Sequence, residues 1–189
     1  MGNDNFVIIG PAGVGKSTTA QLLAERTRRP HVSLDRERFR YYDEIGYDRA
    51  HADELRKNDF EALLRYYEPF NAHAVVRITK EHHGAIIDFG AIHSVYDDPQ
   101  LAAQVRETLS PCPNVFLLLP YPETDRSIDF LIDRGSGDTP LAPDQEAMWR
   151  RIIRRFLERS DNASLATHTI YVSNKSSDDI VGEMLSCIV

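Results

Sequence analysis

The chain has 189 residues, 42% apolar and 27% charged, the balance of a folded domain with a full hydrophobic core. That composition excludes disordered, collagenous and coiled-coil classes. Basic residues number 22 against 29 acidic ones, and the formal charge of −7 repels nucleic-acid backbones. Nucleic acid is therefore excluded as the main partner, and a small anion would need a local cationic pocket.

The N-terminus runs straight into Phe6-Val7-Ile8-Ile9, too short a run for a secretory signal or a membrane span. Cys112 and Cys187 stand far apart with no metal-ligand spacing. Together these features predict a cytosolic protein with reduced thiols and no membrane partner.

Short apolar runs alternate with stretches of helical period, which predicts a parallel sheet covered by helices. The strands are expected at Asn5–Gly10, His31–Leu34, Gly84–Asp88, Asn114–Leu119 and Thr169–Ser173. A helix follows the first strand at Gly15–Arg28, and residues 50–81 read as a short helix and a longer one from Asp59. Further helices are expected at Pro99–Leu109, Thr124–Ile132, Pro143–Arg159 and Asp178–Cys187. Residues 36–81 are too long for a simple connection and suit a helical region that holds a second substrate. Asp133–Pro143, rich in Gly, Ser, Asp and Pro, reads as a mobile loop within a lid region, 122–148. No repeat or linker divides residues 1–189, so one domain is expected.

Gly10-Pro11-Ala12-Gly13-Val14-Gly15-Lys16-Ser17 fits G-x-x-x-x-G-K-[ST], and Thr18 follows it. Glycines let the backbone wrap phosphate oxygens and point amide hydrogens inward. Lys16 can neutralise the terminal phosphates, the Ser17 hydroxyl can ligate Mg²⁺, and the helix that starts here adds its positive end. An apolar strand before the motif and an amphipathic helix after it supply the required setting. ATP with Mg²⁺ is the expected cofactor.

Phosphoryl transfer needs positioned charge more than covalent chemistry. Asp88 closes Gly84-Ala85-Ile86-Ile87-Asp88, the form of a strand whose terminal acid organises the metal. Asp35 ends the second strand, where it could accept or orient the proton of an attacking hydroxyl, or cap a helix starting at Arg36. Arg134 opens the Gly-Ser-Gly loop and suits a cation that closes over the transferring group; Arg126 could share that work. Arg151, Arg154 and Arg155 read as a solvated helix face.

On these residues the chain resembles the shikimate kinase family of small P-loop kinases. The resemblance spans nearly the whole chain, through Gly10–Thr18, Leu22-Leu23-Ala24, Asp35, Asp88–Gly90, the lid near Arg134 and Tyr171-Val172-Ser173-Asn174. It implies a three-layer α/β P-loop NTPase fold with a five-stranded parallel sheet in the order 2-3-1-4-5. In that order Asp88 stands beside Ser17, and the loop from Asn174 packs on adenine.

The departures count equally. The family's Asp-x-Asp pair is here Ser33-Leu34-Asp35, its triple glycine is Gly90-Ala91-Ile92, and its substrate-gripping arginines best match Pro69 and Ser164. Losing each charge-assisted pair costs about 1.5–3 kcal/mol, which argues against shikimate. Asp35, Arg38, Gly90 and His93 remain as the acceptor side. Tyr41, Tyr42, Tyr47, His51, Tyr66, Tyr67, His73 and Tyr96 suit as a set an uncharged hydroxyl compound, although each tyrosine alone is better explained as core.

The expected function is ATP-dependent phosphorylation of a small-molecule hydroxyl, catalysed by Lys16, Asp35 and Arg134. The alternatives are a nucleoside monophosphate kinase and a non-catalytic ATP-binding regulator. A GTPase is excluded, because Asn174-Lys175-Ser176-Ser177-Asp178 puts the guanine-reading acid one residue late.

Overall fold

Strands buried on both faces need near-continuous apolar sequence, and the central runs here supply it. The computed structural model describes residues 4–136 and 141–188. Its strands are β1 (Phe6–Ile9), β2 (His31–Ser33), β3 (Ile86–Asp88), β4 (Asn114–Leu119) and β5 (His168–Tyr171). They form one five-stranded sheet in the order β2-β3-β1-β4-β5, every neighbour parallel. This is the sheet implied by the resemblance.

The helices are α1 (Lys16–Thr27), α2 (Leu34–Asp43), α3 (Arg49–Asn58), α4 (Phe60–Glu81) and α5 (Pro99–Leu109), then α6 (Thr124–Ser136), α7 (Pro143–Glu158), α8 (Ser160–Leu165) and α9 (Ser177–Ser186). Alternation along the strands sends side chains to two cores. Phe6, Ile8, Ile86, Phe116 and Leu118 pack with Leu23 of α1, Ile128 of α6 and Val181 of α9. Val7, Ile9, Ile87, Val115 and Leu117 face the opposite core with Ile78 of α4 and Val105 of α5. The result is a three-layer arrangement.

The excursion between β2 and β3 is α2, α3 and α4. Asp48 caps α3 through Ala50 N at 2.8 Å and His51 N at 3.1 Å, and Asp59 caps α4 through Ala62 N at 2.9 Å. Its tyrosines pack within the protein. Tyr41 and Tyr42 are wholly buried, and Tyr42, Tyr47, Tyr66 and Tyr67 pack ring against ring with Phe39 and Phe70. Residues 34–58 contain few branched aliphatics, only Leu34, Ile45 and Leu55, so aromatic rings supply the apolar volume there.

Two helix boundaries differ from expectation in ways that bear on the site. Helix α2 starts at Leu34 with Ser33 as its cap position, so Asp35 is a first-turn residue and not the cap. Helix α6 continues through Ser136, so Asp133 and Arg134 are helical and do not open a loop. The apolar stripe of Ile128, Leu131 and Ile132 anchors that helix, while residues 137–140 of the expected loop lie outside the described residues. Helix α8 and a 3-10 turn at Ala91–Ser94 were not anticipated. Both cysteines are free, and no helix among the described residues is long and apolar enough to cross a membrane.

Candidate active site

The loop from β1 to α1 forms as the glycines require. A β-carbon on Gly10 would meet the Leu118 carbonyl oxygen of β4 at 2.7 Å, so only glycine fits there. Gly13 and Gly15 take left-handed φ values of 78° and 103°, at little cost without a side chain. Val14 anchors the loop in the core beneath it. Helix α1 then begins at Lys16 with no acidic residue in its first turn, which leaves its positive end open to an anion. Above it lies a cavity of about 410 Å³ lined by Ala12, Gly13, Gly15, Lys16, Ser17, Thr18, Asp35, Ala91 and Arg134.

Lys16 folds back over this loop, its Nζ donating to Gly10 O at 2.9 Å and Pro11 O at 2.8 Å. Burial pushes its ammonium down to about 8, against the opposing pull of Asp35 and Asp88. Those carbonyls hold the amine at the mouth of the cradle, where arriving phosphate oxygens can compete for it.

Asp88 is 2% exposed. Ser17 Oγ donates to its Oδ2 at 2.7 Å and His31 Nε2 to its Oδ1 at 2.6 Å. Ser17 and Asp88 could hold Mg²⁺, which commonly takes one or two protein oxygens beside phosphate and water. Among the described residues no group of three or more His, Cys, Asp or Glu could hold a metal alone. The donor set therefore fits a metal that arrives with a nucleotide.

Asp35 projects from α2 with its side chain 51% exposed and accepts from Arg38 Nη1 at 2.8 Å. Its carboxylate lies against Gly90, on space that a side chain would fill. His93 does not line the cavity. The 3-10 turn carries it inward, wholly buried, with Nδ1 3.9 Å from Asp35 Oδ1 and Nε2 3.3 Å from Tyr42 Oη. Desolvation pushes its imidazole down to about 4, so it is neutral near pH 7. Arg38 and His93 thus stand beside and behind Asp35.

Arg134 reaches the cavity from α6, its Nη2 3.6 Å from the β-carbon position of Gly15. Arg126 points elsewhere, with its guanidinium 3.8 Å from the Tyr121 ring centroid. Asn174 is exposed with φ 60° in the turn after β5, and it does not line the cavity.

Two apolar recesses flank the cradle at Ala12. One includes Pro11, Leu64, Ile92, Ile152 and Phe156, and the other includes Leu131, Ile132, Trp149 and Ile153. Arg155, the cation of the first recess, is engaged by Asp97 at 2.8 Å and Glu68 at 3.4 Å. Arg151 pairs with Glu61 at 3.4 Å and Arg154 with Asp125 at 2.7 Å, as a solvated face would. His31 and Glu68 do not stand out in the sequence: the contact of His31 with Asp88 depends on the pairing of β2 with β3.

No family model matches this sequence, and no curated protein is found as a relative. Solved structures do match. A shikimate kinase from Acinetobacter baumannii in complex with shikimate is similar over 98% of this chain and 93% of that one, with 17% identity and a TM-score of 0.65. A shikimate kinase from Aquifex aeolicus matches over 97% and 95%, with 16% identity and a TM-score of 0.60. A gluconokinase from Sinorhizobium meliloti matches over 98% and 91%, with 15% identity and a TM-score of 0.59. Likeness at such identity speaks for architecture, and with the strand order it is consistent: the chain has the shikimate kinase-like fold of small P-loop kinases.

Proposed function

We propose that this protein transfers the γ-phosphoryl group of ATP to a hydroxyl of an uncharged small molecule other than shikimate. The observation that carries this reading is the convergence of Lys16, Ser17, Asp35 and Arg134 on one cavity above the α1 N-terminus. A cradle that only bound nucleotide would have no need of Asp35 facing its open side. The structural similarity to shikimate kinases and a gluconokinase supports the same reaction class.

In this reading the backbone from Gly10 to Thr18 holds the phosphates, and Lys16 leaves its carbonyl partners to neutralise them. Ser17 would ligate Mg²⁺ and Asp88 would organise it, and the bound ion would supply further charge neutralisation. Asp35 orients or deprotonates the acceptor hydroxyl, and Arg38 steadies its carboxylate. Arg134 supplies positive charge over the transferring group. Asn174 belongs to the adenine side. The apolar recesses and the engagement of Arg155 by two carboxylates favour an acceptor without phosphate or carboxylate.

The test is ADP release from Mg·ATP over sugars, cyclitols, nucleosides, nucleoside monophosphates, hydroxylated natural products and shikimate, with Lys16→Ala as control. Lys16-dependent turnover with one neutral class is expected. Asp35→Asn should keep nucleotide affinity and lose turnover by about a hundredfold or more. Turnover confined to monophosphates would assign a nucleotide kinase instead. Nucleotide binding with output intact in Asp35→Asn would assign a regulator.

A further inference from the structure

Asp88 is held from two sides by side chains of this chain. Strands β2 and β3 run parallel with Ser33 opposite Asp88 and His31 opposite Ile86. The two-residue period puts His31 and Ser33 on the sheet face that carries Asp88, the face covered by α1. Ser33 Oγ stands 3.4 Å from Asp88 Oδ2, at the margin of a hydrogen bond. His31 makes the stronger contact, with Nε2 2.6 Å from Oδ1. A carboxylate offers only lone pairs, so Nε2 carries the proton whether the ring is neutral or cationic.

A buried carboxylate with one oxygen unengaged could rotate about its Cβ–Cγ bond. Here Oδ1 is tied to the imidazole, and Oδ2 is thereby presented to Ser17 Oγ at 2.7 Å. Ser33 stands where the resembled family has an acid, so no neighbouring carboxylate on β2 shares the work. We infer that His31 is a positioning residue for the metal site, fixing the Asp88 carboxylate toward Ser17. The inference rests on the reading of Asp88 as the acid that organises Mg²⁺.

The test measures ADP affinity with and without Mg²⁺ by calorimetry, in the wild type, His31→Leu, His31→Gln and Asp88→Asn. The decisive quantity is the ratio of the two affinities. In His31→Leu that ratio should fall about tenfold, the usual effect of losing a hydrogen-bond partner behind a metal ligand. Affinity for ADP without Mg²⁺ should not change. In His31→Gln the amide nitrogen reaches the place of Nε2, and the ratio should stay within about threefold of wild type. His31→Asn, polar but too short, provides the same comparison if His31→Leu does not fold.

A wild-type ratio in His31→Leu or His31→Asn overturns the inference. So does an equal loss of affinity with and without Mg²⁺, which marks a purely structural role. If Asp88→Asn removes the Mg²⁺ effect while the His31 variants keep it, the reading of Asp88 stands and only His31 falls. If Asp88→Asn also keeps it, both fall.

Discussion

The carboxylate of Asp35 occupies the space of a side chain at Gly90: a β-carbon there would stand 2.1 Å from Oδ1 and 2.5 Å from Cγ. The backbone of Gly90 is ordinary, with φ −63° and ψ 154°, so the glycine is required for room and not for conformation. The atoms nearest to a β-carbon at Gly90 all belong to the far end of the half-exposed Asp35 side chain, which can swing away. In Gly90→Ala stability should barely change. Acceptor turnover should fall about a hundredfold, the usual effect of a 1 Å misplacement. Thermal unfolding, ADP affinity and kcat measured together check this, and unchanged kcat would detach Asp35 from the reaction.

Lys16 gives the cradle a pH dependence whose sign is fixed. Its ammonium is pushed from 10.5 down to about 8, mainly by burial. A bound phosphate favours the charged amine, so above about pH 8 nucleotide binding must draw a proton from solution. ADP affinity should fall as pH rises from about 7 to about 9.5, with binding heats that depend on buffer ionisation enthalpy at the upper end. Lys16→Met should show neither effect. In the nucleotide-free protein the unfolded chain holds more protons between about 8 and 10.5, so this group's contribution to stability rises with pH there.

The two arginines considered from sequence differ in placement, and their variants should differ accordingly. Arg134 lines the cavity above the α1 N-terminus, whereas Arg126 lies over the Tyr121 ring. Arg134→Ala should lower kcat by about a thousandfold, the lower end for a cation over a transferring phosphoryl group. Arg126→Ala should leave kcat alone and cost at most about 1 kcal/mol of stability. Similar kcat values in the two variants would remove Arg134 from the transfer.

Local features were legible in the sequence, and relations across elements were not. The cradle is a contiguous motif, and β4 and α5 have the residues expected because turn-forming residues bound them: Pro113 and Pro120 around β4, and Asp98 with Pro99 at the start of α5. Asp88 is readable as a strand-end acid, whereas Asp35, expected at the end of β2, stands in the first turn of α2. His31 is not readable, because its contact depends on β2–β3 register, and a three-residue strand shows almost no period. The excursion tyrosines have polar tips and apolar bodies, and composition alone cannot distinguish a packed cluster from a ligand bed. Gly135 and Ser136 make Arg134 read as a loop residue, yet both fit the last turn of a helix already anchored by packing.

Glu68 shows how the core itself supports the site. A carboxylate 4% exposed on mid-α4 is costly unless every oxygen is used. Here both oxygens accept from Asp97 N at 2.9 Å, and Oε2 also accepts from Asp98 N at 3.0 Å. Arg155 of α7 adds a 3.4 Å contact to Glu68 and one of 2.8 Å to Asp97, which also pairs with Arg159. This cluster ties α4 to the start of α5 and to α7, whose Ile152 and Phe156 share a recess with Pro11 and Ala12 of the cradle. Glu68→Ala strands two backbone donors and a guanidinium, and should cost about 3 kcal/mol in urea unfolding. Glu68→Gln keeps acceptor oxygen but no charge, and should cost roughly half as much. Pairing each with Arg155→Met gives a double-mutant cycle, with about 1–2 kcal/mol of coupling expected for Glu68→Ala. A cost below about 1 kcal/mol for Glu68→Ala would mean that the α4–α5–α7 junction is held by its apolar contacts alone.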